Sequence, residues 1–369
     1  MNKLDLMLQE WLNVAKWAPS GGNAQPWLIQ YETIESNPNT VRLELSIDKD
    51  YKLIHSPLDA HGAAAWLSIG CLKLNLIEIA KEYLYEYTHE EIFFGTNYWT
   101  SKLSLFFKLN PGKSLQENSN YHRDDFLNRR TNRNRFSQKP IPQNDFEELK
   151  KICETTDSIH YKVFQNNEKK EFVANIIPLE KIRWSNLDYL KGLLFEIEYK
   201  YPNHPASQTK IPVDQLGLNT FDQFFFKKLN KSPWLQNILI KYLYPLILQK
   251  SLVGFSNHCD KIFILQARSN SAADILMLGY TFQNLWLQIN KKGIGFQPLG
   301  TPLVALGYWT QIEQVKFTSE QAKSVENTTD LFLKKYNIDL KLPTMAFRLG
   351  YITKEHGQAP RKNIFIQKI

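Results

Sequence analysis

Ala18-Pro19-Ser20-Gly21-Gly22-Asn23-Ala24-Gln25-Pro26-Trp27 is a turn of small and amide residues set between two regular segments. Upstream, Leu4, Met7, Leu8, Trp11, Val14, Ala15 and Ala18 recur at helical spacing and predict an amphipathic helix over 4–18. Downstream, Trp27 to Tyr31 reads as a strand. Gly21 and Gly22 let another group approach the backbone closely, and Pro26 pushes Gln25 toward extended geometry. Ser20 and Asn23 offer hydrogen-bond donors and acceptors to the heteroatoms of a flat ligand. The same residue types also build ordinary helix-to-strand loops, so composition alone leaves both readings open.

Outward from this turn, Val41, Leu43, Leu45 and Ile47 alternate as a half-buried strand. Residues 59–81 are too long and too apolar for a strand and predict a buried helix. Leu103, Leu105 and Phe107 suggest another strand. Residues 110–143 are polar, basic and broken by Pro111, Pro140 and Pro142, the best candidate boundary. Beyond it the pattern predicts helices at 144–153 and 169–183, a strand at 159–163, a strand at 260–267 and a second buried helix at 272–291. Leu303–Tyr308 and Met345–Tyr351 read as late strands. Ala63-Ala64, Gly70 and Asn75-Leu76 line up at constant offset with Ala272-Ala273, Gly279 and Asn284-Leu285. This weak repeat predicts two related α+β halves, 1–125 and 126–369.

The chain has 369 residues, 43% of them hydrophobic, enough for a substantial core. No uncharged apolar run reaches bilayer length, and Met1–Asp5 lacks the apolar core of a secretion signal. Cys71, Cys153 and Cys259 have no metal-like or redox-like spacing. Reduced thiols and a cytoplasmic location are the expectation. No paired carboxylates, catalytic triad or metal cluster stands out, and His61 reads as a capping or packing residue. Net charge is +8, which suits an anionic partner. Most lysines are scattered, but Asn128-Arg129-Arg130-Thr131-Asn132-Arg133-Asn134-Arg135-Phe136 concentrates four arginines around a hydroxyl. Guanidinium groups grip phosphate bidentately, so a ligand phosphate is the preferred reading. A solvated charge run is the rival, and the lack of basic stretches interleaved with aromatics argues against nucleic acid.

Residues 213–257 form an unusual insert: Phe221, Phe224, Phe225, Phe226, Trp234, Tyr242 and Leu246 are interrupted by Lys227, Lys228, Lys231, Lys241 and Lys250. Such a basic amphipathic segment suits a lid over a ligand, a protein-docking face or a membrane surface; the lid is what the family resemblance described next implies.

Two of these strings resemble the nitroreductase family of flavoproteins. The opening turn is similar to its P-S-x-x-N-x-Q-P-W signature, and Arg129–Arg133 to its R-[RH]-[ST]-x-R string. In that family the two strings come from different protomers of a dimer. Here the first lies in half one and the second opens half two, an arrangement that resembles the Acg-type branch with two fused nitroreductase-like halves. The resemblance implies an α+β nitroreductase fold and bound FMN, with a monomer sufficient for one site and a homodimer still open. It implies FMN contacts at Pro19, Ser20, Gly21, Asn23 and Gln25, at Arg129, Thr131 and Arg133, at Gln297, Pro298, Leu299 and Gly300 in a loop after the second buried helix, and at Arg361. Arg133 is the expected stabiliser of reduced flavin, and no protein acid or base is required. The implied activity is hydride transfer from NAD(P)H to an unknown small-molecule acceptor. Flavin storage is one alternative, a dehydrogenase partner in a peptide-modifying pathway another.

Overall fold

The computed structural model describes residues 3–50, 56–111, 120–137, 139–199, 208–248, 254–354 and 357–369. Helix α1 (Lys3–Ala15) precedes the turn, followed by β1 (Trp27–Ile34), β2 (Asn37–Ile47), α2 (Ala63–Lys81), β3 (Tyr85–Phe93) and β4 (Lys102–Leu109). A short α3 (Arg123–Leu127) leads into the arginine-rich stretch. Then come α4 (Gln143–Glu154), β5 (Ile159–Gln165), α5 (Asn167–Ser185), α6 (Leu187–Phe195), β6 (Ile197–Glu198), β7 (Ile211–Pro212), α7 (Thr220–Lys231), α8 (Pro233–Ile238), a π turn (Leu239–Leu243), α9 (Tyr244–Leu248) and α10 (Gly254–Asn257). The chain closes with β8 (Lys261–Ala267), α11 (Ala272–Lys291), β9 (Ile294–Leu299), α12 (Pro302–Trp309), α13 (Ser319–Tyr336), β10 (Thr344–Tyr351) and β11 (Gln367–Lys368).

The fold is α+β, with two antiparallel sheets of matching topology flanked by helices. The first has the order β11-β1-β2-β4-β3, the second β5-β8-β10-β9. Apart from β11, which pairs parallel with β1, each sheet is antiparallel throughout. In each, a long helix follows the second strand: α2 after β2 and α11 after β8. The halves therefore repeat strand order, strand direction and helix position.

The two long helices meet at the repeat noted in sequence. A Cβ placed on Gly70 would lie 2.2 Å from the Leu276 carbonyl oxygen, and one on Gly279 would lie 2.0 Å from the Leu67 carbonyl oxygen. Leu67 and Leu276 are themselves equivalent positions, so the crossing is reciprocal, as a pseudo-two-fold axis requires. Helix α2 is enclosed on nearly all sides, and even its polar Lys73, Asn75 and Glu78 are buried. By length and composition it could cross a bilayer, but 94% of the relevant window is buried inside the protein. Asp59 Oδ1 starts the helix by accepting from the Ala64 and Ala65 N–H groups at 2.8 and 3.3 Å.

Three expectations need correction. Leu303–Tyr308 is not a strand but most of α12. Pro302 in the first turn favours a helix start, and Val304, Ala305, Leu306 and Gly307 are all buried, so no alternating face exists. The Gly293–Gly300 loop is largely strand β9, paired with β10 from Ile294↔Tyr351 to Leu299↔Ala346. The insert at 213–257 is not a lid as a whole: α7, α8 and α9 build a satellite cluster with α6, around Trp184, Leu190, Leu194, Ile197, Phe226, Leu229 and Leu239. Lys250 lies outside the described residues.

Candidate functional site

A cavity of about 240 Å³ lies where the two halves meet. One wall is the opening turn, with Pro19, Ser20, Gly21, Gly22 and Asn23. The floor is the helix crossing, with Leu67, Ser68 and Cys71 from α2 and Phe282 and Trp286 from α11. Arg129, Arg130, Thr131 and Arg133 come from the basic stretch. Pro298 and Gly300 come from the end of β9, and Gln358 and Arg361 from the segment before β11. The two strings that resemble the family signature are thus brought together. Arg129 Nε and Nη2 donate to the Trp17 carbonyl at 3.1 and 3.0 Å, tying half two to the end of α1.

The charge in this cavity is unbalanced. Arg129 is 3% exposed and stacks on Trp286 at 4.3 Å. Arg361 donates to Asn23 Oδ1 and lies over the Trp17 ring. Among the described residues no carboxylate pairs with either guanidinium. Burial lowers Arg129 to about 10. Arg361 is held well below the ordinary arginine value, first by burial and then by the Arg129 charge. Arg361 Nε and Arg130 Nε are buried and unbonded. Buried cations that repel each other and keep spare donors are expensive unless an anion joins them. The site is chemically suited to a phosphate beside an apolar and aromatic wall, and these residues fit a phosphorylated flat ring such as FMN.

The individual sequence expectations fare differently. Pro19, Ser20, Gly21, Asn23, Arg129, Thr131, Arg133, Pro298, Gly300 and Arg361 line the cavity, whereas Gln25, Gln297 and Leu299 do not. Gln25 is fully buried behind the turn, where its amide donates to the Asn23 and Gln208 carbonyls and accepts from the Lys362 N–H. Gln297 accepts from Arg348 Nε at 2.7 Å, and Leu299 is 7% exposed within the core. Asn23 lines the cavity, but its amide nitrogen donates to the Gln208, Lys210 and Pro360 carbonyls. It holds the wall in place rather than offering a free donor. Ser20 Oγ accepts from the Gln25 N–H at 2.9 Å and keeps its own proton to give. His61 contacts the Thr310 carbonyl at 2.9 Å, a packing role.

Sequence reasoning missed three cavity residues that precede the insert, Arg183, Glu196 and Ile211; from the insert itself Gln215 lines the cavity. Arg133 Nη1 donates to the Gln215 carbonyl at 3.0 Å. Glu196 packs against Gly22, whose φ is +56°; a Cβ there would sit 2.8 Å from the Glu196 Cγ. Burial raises the Glu196 carboxyl to about 7, against the opposing pull of Arg183, the Ser56 hydrogen bond and Arg133. Glu196, in Phe195-Glu196-Ile197-Glu198, has no spacing signal that would single it out.

Glu196 makes stability depend on pH. Its folded value lies above the ordinary 4.5, so between about pH 4.5 and 7 the folded state holds more protons than the unfolded one. Stability from this group therefore falls as pH rises through that window, by roughly 3 kcal/mol at most. Glu196→Gln should flatten the slope. Thermal unfolding of both proteins at pH 5 and pH 8 checks this, and parallel pH profiles would refute it.

The pseudo-two-fold counterpart of the aromatic wall carries different residues. At the positions matching Phe282 and Trp286, helix α2 carries Lys73 and Ile77, both buried. Lys73 pairs with Glu90 and lies over the Tyr87 and Tyr280 rings.

No protein-family model matches the chain, and no curated protein matches it. Solved structures similar to it include the FMN-dependent nitroreductase NfnB from Mycobacterium smegmatis in complex with NADPH, at 14% identity and TM-score 0.34, covering 62% of this chain and 86% of that one. A nitroreductase-like family protein from Bacillus cereus is 11% identical with TM-score 0.34, covering 67% and 94%. A nitroreductase with bound FMN from Bacteroides fragilis is 13% identical with TM-score 0.31, covering 63% and 92%. Scores this low carry no weight for chemistry, which rests on the cavity's own residues.

Proposed function

We propose that this protein is an FMN-dependent oxidoreductase of the nitroreductase superfamily, of the fused, two-half kind, passing hydride from NAD(P)H to a small acceptor. The observation that carries this reading is the convergence of the Pro19–Asn23 turn with buried Arg129 and half-buried Arg361, neither paired with a carboxylate among the described residues, beside the Phe282 and Trp286 wall. Arg129, Arg361 and Thr131 would hold the phosphate, and the turn and the aromatic wall would hold the ring. Bound FMN would supply hydride transfer. The chain supplies the rest: Arg133 places a buried positive charge that favours negative charge developing on a bound ring, and the Glu196 carboxyl holds a proton within the cavity near neutral pH.

Flavin storage is the second reading, favoured by one observation. The segment from Gln208 to Gln215 is bonded to both Asn23 and Arg133, a strap that restricts entry. The test is to reconstitute purified protein with FMN, record its absorbance from roughly 300 to 550 nm, and add NADPH without oxygen. Flavin bands that bleach support the enzyme. Bands that persist support storage, and a protein that cannot take up FMN overturns both.

A further inference from the structure

We propose that the helical segment 220–248 seats this protein on an anionic lipid surface. The inward side of α7, α8, the π turn and α9 is spent on the satellite cluster, where Phe226, Leu229 and Leu239 are buried and Leu235, Ile240, Leu243, Tyr244 and Ile247 pack against it. What remains outside is a dense apolar set. Phe221 is 74% exposed, Phe224 59%, Trp234 68%, Tyr242 71% and Leu246 60%. On α7 the spacing puts Phe221, Phe224, Lys228 and Lys231 on one side, opposite the buried Phe226 and Leu229, and an exposed apolar side of this kind marks a surface built to be covered.

The occupant follows from charge. Lys227, Lys228, Lys231 and Lys241 are exposed among these residues, and Asp222 is the one acidic residue from 220 to 248. Lys228 lies over the Phe224 ring, 5.3 Å from its centre, so its apolar stem and that ring can enter an interface while the ammonium stays at headgroup level. Aromatic side chains and lysines on short helices with a buried inner face match the interfacial mode of lipid binding. The helical runs are too short to span a bilayer, at 12 residues for α7 and 16 for the continuous α8, π turn and α9. A protein partner would need specific counter-charges and offered carboxylates in register, whereas an anionic leaflet is complementary to lysines in any arrangement. The seat lies behind the cavity wall, because Leu194 and Ile197 of the same cluster flank Glu196.

The experiment is sedimentation of the full chain with vesicles of phosphatidylcholine alone and of phosphatidylcholine mixed with phosphatidylglycerol. Binding should be stronger on the mixed vesicles by roughly tenfold or more and should weaken as salt screens the lysines. Phe224→Glu with Trp234→Glu should reduce it to the level of neutral vesicles, and so should Lys228→Glu with Lys231→Glu. Phe93→Glu, at an apolar residue 65% exposed on the edge strand β3, should leave binding unchanged. All these positions are at the surface, and an unaltered circular dichroism spectrum verifies each variant. Equal binding to both vesicle types, no binding, or undiminished binding by the first two double variants overturns the proposal. So does a vesicle-independent self-association that Trp234→Glu abolishes, which would make the occupant a second copy.

Discussion

Gly70→Val is expected to prevent accumulation of folded protein, and Gly70→Ala or Gly279→Ala to destabilise it by about 3 kcal/mol or more, toward the upper end for core overpacking. The reason is the identity of the obstructing atoms. A Cβ at either position meets a backbone carbonyl of the facing helix at 2.2 or 2.0 Å, with the facing backbone Cα or N next at 3.1 Å. No rotamer change relieves a backbone clash, so the helices must separate along their length, and interiors at crystal-like density resist that. The same separation would move Ser68 and Cys71 away from Phe282 and Trp286, the two sides of the cavity floor. Thermal unfolding of the alanine variants is the check. An unchanged melting temperature in either would mean that the crossing is looser than these atoms require.

Arg361→Met should separate two properties that normally move together. Without ligand the variant is expected to be about as stable as the parent, because the loss of the Asn23 bond and the Trp17 contact is offset by removal of a half-buried cation that is repelled by Arg129 and pairs with no carboxylate among the described residues. Its affinity for FMN should nevertheless fall by roughly tenfold to a hundredfold, the worth of one charge-assisted hydrogen bond. Arg129→Ala should also release FMN, but with a loss of stability, since it deletes two bonds to the Trp17 carbonyl and the stack on Trp286. Titration with FMN and melting with and without ligand read both quantities. If Arg361→Met binds FMN as tightly as the parent does, the phosphate assignment is wrong.

Much of this was legible in the chain, for identifiable reasons. The buried helices announced themselves by long, mostly apolar segments, β2 by alternation, and the two ligand strings by residue chemistry. What stayed hidden obeyed weaker local rules. Strand β3 was missed because its outward positions, such as Thr88, His89 and Glu91, are polar and a register shift between Tyr87 and His89 breaks the alternation. Strand β9 looked like a loop because it contains Gly295 and Pro298, and β11 is too short to show a period. Helix α12 imitated a strand because an apolar stretch of eight residues has no period to read. Within the site, residue type gave the arginines and the turn. Which amides face the cavity and which are consumed behind it depends on the Gln208–Gln215 strap and on residues 357–362, both far away in sequence.

The unlike residues on the two sides of the pseudo-two-fold axis have a consequence for divergence. A scaffold with a reciprocal helix crossing offers two equivalent clefts, one on each side of the axis. Here the cavity described lies on one side, and on the other Lys73 pairs with Glu90 and lies over the Tyr87 and Tyr280 rings. Each half thereby supplies only part of the one site described. The first need keep only its glycine turn, the second only its arginines and aromatic wall, and the idle surfaces of both are free to drift. That asymmetry explains how two halves can share strand order and helix crossing while retaining so little common sequence.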